Sequence, residues 1–143
     1  ACDVRLVSDA ARFTFAFAGI GLAADTGLHA TLVSAVGAPR ARALLMLDRP
    51  VGAEEAHAMG LADLVVPAAA LDAELAALAE RLAAGPTKAY AAIKATTQLA
   101  EHASLDRVLE AEAAAQQRLG ETADHGHAVR AFLAKETPTF HGA

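Results

Sequence analysis

The sequence has no tryptophan, one tyrosine and one cysteine, and aromatic residues make up only 4% of its 143 positions. The lone Cys2 closes no disulfide framework and builds no cysteine zinc centre; it reads as a small core residue in a reducing, cytoplasmic protein. The shortage of aromatic side chains argues against a β-sandwich or barrel, whose pleated faces use them. Long apolar runs are missing as well. The uncharged stretch Phe13 to Ala24 stops well short of the roughly 20 residues that a spanning helix needs, so no membrane span is expected. Positive charge is not in surplus: 12 Lys and Arg against 17 Asp and Glu leave a net charge of -5, which argues against nucleic acid as a partner. An initiator Met is also lacking. Ala1-Cys2-Asp3-Val4 reads as mid-domain sequence, and the chain is expected to belong to a longer one.

What is abundant is alanine, at 40 residues. Alanine loses no side-chain entropy on entering a helix, so the bias favours helices. With 55% hydrophobic residues and modest net charge, the chain is expected to fold rather than stay disordered. β-prone segments lie only in the first half, at Val4 to Val7 and Phe13 to Phe17. Phe13, Phe15 and Phe17 sit at period two, which turns all three rings to one face. Gly19, Gly21 and Gly27 then punctuate a loop. Helices are predicted over residues 29–36, ending at Gly37, over 40–47 with Pro39 in the first turn, and over Val51 to Gly60. Leu61 to Val66 reads as a strand stopped by Pro67. Beyond it the pattern is helical: a Leu71, Leu75, Leu78, Leu82 stripe, a break at Gly85-Pro86, then helices over 87–101, 105–119 behind Ser104, and about 122–135.

Few residues carry chemistry. Asp25 sits in a glycine-flanked turn downstream of the three phenylalanines, where an apolar wall would favour a proton-accepting carboxylate. The competing reading is an Asx turn in which Asp25 caps the following helix. His29 opens that helix, either donating to a bound molecule or facing solvent. His125 and His127 are two apart, a poor metal geometry on a helix, and no third ligand is evident, so no metal is expected. Phe132 and Lys135 are three apart, on one face of the last helix.

Several segments, in this order and spacing, resemble the crotonase superfamily, the enoyl-CoA hydratase/isomerase family of coenzyme A thioester enzymes. They are Cys2-Asp3, Ala11-Arg12-Phe13, the Gly21 to Gly27 loop, Val36-Gly37, Ala53-Glu54-Glu55-Ala56 with Met59-Gly60-Leu61, and Ala131 to Lys135 with Pro138 and Phe140. The resemblance implies an α/β fold: the C-terminal portion of a crotonase-like ββα spiral over residues 1–67, then a helical region over 68–143 that serves trimerisation and CoA capping. It implies an acyl-CoA substrate, a homotrimer or hexamer, and no cofactor apart from the coenzyme A of the thioester itself. The family's thioester enolate is held by two backbone N–H groups that lie upstream of this chain.

By the same resemblance, Asp25 matches the proton-shuttling Asp of the dienoyl-CoA and ring-epoxide isomerase branches. Phe17 stands where hydratases carry the second of two water-activating glutamates; a phenyl ring neither orients water nor exchanges a proton. Phe13, Phe15, Phe17, Gly21, Leu22 and His29 would line the acyl pocket, and Phe132 and Lys135 would meet the adenine and phosphates of CoA. The residues after Asp25, from Leu28 and His29 to Ser34, depart from the family pattern. The expectation is an enoyl-CoA isomerase of fatty-acid or aromatic-acid degradation. The alternatives are an enoyl-CoA hydratase (a lyase) and a catalytically silent CoA-binding member.

Overall fold

β1 (Leu6–Ser8) lies parallel to β4 (Leu64–Val66), with Leu6 opposite Leu64 and Val7 opposite Val65. β2 (Arg12–Phe13) runs antiparallel to β3 (Val51–Gly52), pairing Phe13 with Val51. The computed structural model describes residues 2–143 and divides after Leu75 into two compact units. In the first unit the chain between the strands forms α1 (Leu28–Val36), α2 (Ala38–Leu47) and α3 (Ala53–Ala58). Gly37, at φ 80, separates α1 from α2 in a conformation that a side chain would strain. Pro39 follows in the first turn of α2, where its missing N–H costs nothing.

Burial follows the helical period. Leu32 and Val36 face inward from α1, and Ala41 and Leu44 from α2. They close on Phe15, Val51, Ala56, Leu61 and Ala62. Alanine at 41, 56 and 62 lets backbones approach closely, which is where part of the alanine excess is used. Arg5 ties the start of β1 to the loop before β4: its Nε lies 3.1 Å from Asp63 Oδ2, and its guanidinium also donates to the Gly60 carbonyl. That pairing holds the Asp63 carboxyl below the usual carboxylate range. Arg49 and Glu55 form a second, exposed, two-pronged pair beside β3.

α4 (Leu71–Ala83) spans the division between the units, and α5 (Thr87–Ala100), α6 (Leu105–Gly120) and α7 (Ala123–Ala134) form the second. α6 packs on both α5 and α7. At the α4–α5 turn the Tyr90 phenol occupies the space a Cβ on Gly85 would need. Thr122 caps α7, its Oγ1 accepting from the His125 N–H at 3.2 Å. Asp124 is buried and pins the chain's last residues. Its Oδ1 accepts from the His141 N–H at 2.8 Å and its Oδ2 from the Gly142 N–H at 2.9 Å.

These hydrogen bonds to the charged form, His141's foremost, hold the Asp124 carboxyl below its ordinary value. A depressed folded value means the clamp contributes fully above the unfolded value near 4 and is lost as pH falls through the folded one. The protection of the His141 and Gly142 amides, their exchange relative to an unstructured chain at the same pH, is therefore expected to be high at neutral pH and to fall in acid before the helices melt. Protection that persists until α7 itself melts in acid would contradict this.

Several expectations are corrected. The helix predicted over Val51 to Gly60 begins only at Ala53, because Val51 is fully buried as a ladder partner of Phe13. The Phe13 to Phe17 strand shrinks to Arg12–Phe13, and the one over Leu61 to Val66 to Leu64–Val66, because Leu61 and Ala62 turn into the core instead. Cys2 is exposed and no part of the core.

Candidate functional site

The candidate site is the segment between β2 and α1. After Phe13 the backbone leaves the ladder, yet the inward alternation persists: Phe13 and Phe17 are half-buried, and Phe15 is 7% exposed in the core. The Phe17 N–H donates to the Phe15 carbonyl at 2.7 Å. The chain then enters a 3-10 turn, Ala18–Ile20, closed by Gly21 at φ 74. The Phe17 carbonyl collects two donors, Ile20 N–H at 3.2 Å and Leu22 N–H at 2.9 Å. Ile20 and Leu22 project outward, 73% and 60% exposed.

Asp25 follows in a turn of its own. Its carbonyl accepts from the Leu28 N–H at 2.9 Å, across Thr26 and Gly27 at φ 52 and 80. Two central residues at positive φ is the sign pattern of a type I′ turn, and a β-branched threonine there is strained. Gly27, not Asp25, is the N-cap of α1, and no side chain makes a cap hydrogen bond. The capping reading of Asp25 is thereby excluded. Its carboxylate is exposed and takes no hydrogen bond or ion pair among the described residues. His29 is exposed on the first turn of α1. Thr26→Gly is expected to raise stability by about 0.5–1 kcal/mol by relieving the left-handed threonine; a loss of stability in urea melts would show that the threonine side chain is needed.

Phe17, Gly21, Leu22 and Asp25 thus follow one another along this segment and His29 stands on the first turn of α1, while Phe15 belongs to the core and Phe13 packs against it. Phe132 and Lys135 belong to the second unit. Phe132 is 81% exposed near the end of α7. Lys135 lies beyond the helix as its left-handed C-cap, φ 59, with its N–H on the Phe132 carbonyl at 3.1 Å. This corrects the expectation that the two share a helical face: α7 ends one residue too early. Between α7 and the chain end lies an open pocket of about 350 Å³ lined by His127, Arg130, Ala131, Ala134, Glu136, Thr137, Pro138 and Thr139. Sequence reasoning did not single out Arg130 or Thr137; the i, i+3 spacing of His127 and Arg130 was the available signal. No cluster of three or more His, Cys, Asp or Glu suited to a metal occurs among the described residues.

Residues 1–143 match the family model described as enoyl-CoA hydratase/isomerase. The chain belongs to the enoyl-CoA hydratase/isomerase family. It is 39% identical to a Rhodobacter capsulatus protein named "Probable enoyl-CoA hydratase", covering 99% of this chain and 55% of that protein. It is 36% identical to the 1,2-epoxyphenylacetyl-CoA isomerase of Escherichia coli, covering 98% of this chain and 53% of the isomerase. A crystal structure of a Mycobacterium abscessus protein assigned to the enoyl-CoA hydratase/isomerase class superposes with a TM-score of 0.95 at 44% identity, over 99% of this chain and 55% of that one. The crotonase-like α/β fold expected from the sequence is what the structure has. The chain spans about half the length of the family members it matches. Among the described residues no helix is long and apolar enough to cross a membrane.

Proposed function

We propose that the protein carrying this chain is an acyl-CoA isomerase that shifts a double bond with Asp25 as its proton shuttle. The observation that carries this reading is the state of Asp25. Its carboxylate sits in a tight turn on the loop after β2, exposed and committed to neither a cap nor an ion pair. A carboxylate with no structural partner is free to accept and return a proton. On a 3-enoyl thioester it takes the proton from C2, and the C–H electrons delocalise into a dienolate toward the thioester oxygen. The same proton then returns to C4 while the double bond settles between C2 and C3. Atoms balance without water or a redox partner.

Phe17 gives the reading its direction. In a family whose hydratases use two glutamates, a half-buried ring at this position leaves one water-activating group missing and keeps the loop apolar. Phe13, Phe17, Gly21, Leu22 and His29 line the acyl side, with Phe15 supporting them from the core. Phe132 offers an exposed ring for stacking on adenine, and Lys135 a mobile point charge for phosphate. Substrates are 3-enoyl-CoA or ring-derived acyl-CoA thioesters of fatty-acid or aromatic-acid breakdown, handled by a cytoplasmic homotrimer or hexamer. The isomerase name of the Escherichia coli relative supports this reading, whereas the Rhodobacter capsulatus name favours hydration as the second one.

The two are separated by giving the protein, at its natural length, 3-hexenoyl-CoA and crotonyl-CoA in parallel. Isomerisation is expected to exceed hydration by at least about tenfold, the general-base advantage without an activated water. Faster hydration would replace this reading with the hydratase one. CoA binding with neither activity would leave a silent CoA-binding protein.

A further inference from the structure

Asp48 closes α2 in a left-handed conformation, φ 46 and ψ 41. Its carboxylate therefore lies at a helix C-terminus, where aligned peptide dipoles disfavour an anion. Oδ1 is buried and has no hydrogen-bond partner among the described residues. Oδ2 presses on Gly19, where an added Cβ would lie 2.6 Å from it. A buried carboxylate oxygen without a donor is destabilising and calls for an explanation. Left-handed backbone, opposed dipole and orphaned oxygen all fall on one residue, and strain that persists at one point is a pointer to function. What Asp48 presses on is the middle of the 3-10 turn Ala18–Ile20, the turn folded around the Phe17 carbonyl and leading to Asp25. Only glycine at 19 leaves room for the contact.

We propose that Asp48 is a positioning residue. Its side chain wedges the Ala18–Ile20 turn and so fixes Phe17, Gly21 and Leu22, and through them the approach of the chain to Asp25. The inference rests on the reading of Asp25 as the shuttle. The wedge works by shape: the group touches no reacting atom, and an asparagine of the same outline would fill the same space.

The test uses the protein at its natural length. Asp48→Gly is expected to lower kcat for 3-enoyl-CoA isomerisation about tenfold, as a displaced reacting group does, with KM within about twofold. The Tm is not expected to fall, and amide exchange at Ile20 and Leu22 should quicken by about tenfold or more. Asp48→Asn should keep both kcat and slow exchange. If Asp48→Gly does not fold, Gly19→Ala, which drives Asp48 off the turn, serves as the same probe with the same expected losses. Either readout staying at the wild-type value in the wedge-breaking variant overturns the proposal. So does an Asn variant as impaired as the Gly one, since charge and not shape would then act. If the wild-type protein does not isomerise at all, the proposed function falls, while the exchange at Ile20 and Leu22 still decides whether Asp48 holds the turn.

Discussion

Asp25→Asn is expected to lower the rate of 3-enoyl-CoA isomerisation by about 10²- to 10⁴-fold, the usual contribution of a positioned acid–base group. The amide keeps the outline of the carboxylate but is not a base at any working pH, so the loss should fall on kcat. Stability should change by less than about 0.5 kcal/mol, because the carboxylate is exposed and supports no cap or ion pair. A large rate loss with an unmoved melting curve separates a chemical role from a structural one. Had Asp25 capped α1, the same substitution would have reduced stability instead, by about 1 kcal/mol. Kinetics on 3-hexenoyl-CoA together with a thermal melt of the same preparation give both readings, and an undiminished kcat would remove Asp25 from the mechanism.

Phe15→Ala is expected to cost about 3–5 kcal/mol of folding stability, the range for truncating a buried ring to a cavity. Phe15 is 7% exposed and packs within the cluster of Leu32, Val36, Leu44 and Val51, none of which can collapse far into the space left behind. Phe17, half-buried at the head of the 3-10 turn, should cost less when truncated, about 1–2 kcal/mol. Urea denaturation of the two variants measures the difference directly. Equal costs would show that the two rings are equivalent supports, and would remove the distinction between a ring that holds the core and one that faces the acyl side.

The helices of the second half were legible because their signals are local. Leucine and alanine spacing, Gly85-Pro86, and Thr122 before α7 are read within one or two turns, and the structure ends each helix within a residue or two of those marks. The strands were not legible in the same way. β1 finds β4 across most of the first unit, and β2 finds β3 at only two residue pairs, so neither pairing leaves a local pattern. Val51 shows the cost: the acids at Glu54 and Glu55 draw a helix backward over it, but burial against Phe13 decides its state. Of the candidate site, the period-two phenylalanines predicted the burial alternation correctly even where no ladder exists. The turn around Asp25 was legible from its glycines, but which residue caps α1 was not: Gly27 and not Asp25 takes that position. The helical face expected for Phe132 and Lys135 failed for a related reason: a left-handed cap one residue early is invisible to periodicity.

In the proposed reaction one proton moves through one carboxylate. Its most direct measurement is the conversion of a 3-enoyl-CoA deuterated at C2 in ordinary water, with the product's C4 label read by mass spectrometry. A shuttle at Asp25 that returns the proton faster than water exchanges it predicts that part of the deuterium removed from C2 reappears at C4, and that Asp25→Asn removes most of the conversion. Product carrying only solvent hydrogen at C4, or a 3-hydroxyacyl-CoA formed ahead of any isomer, would contradict it.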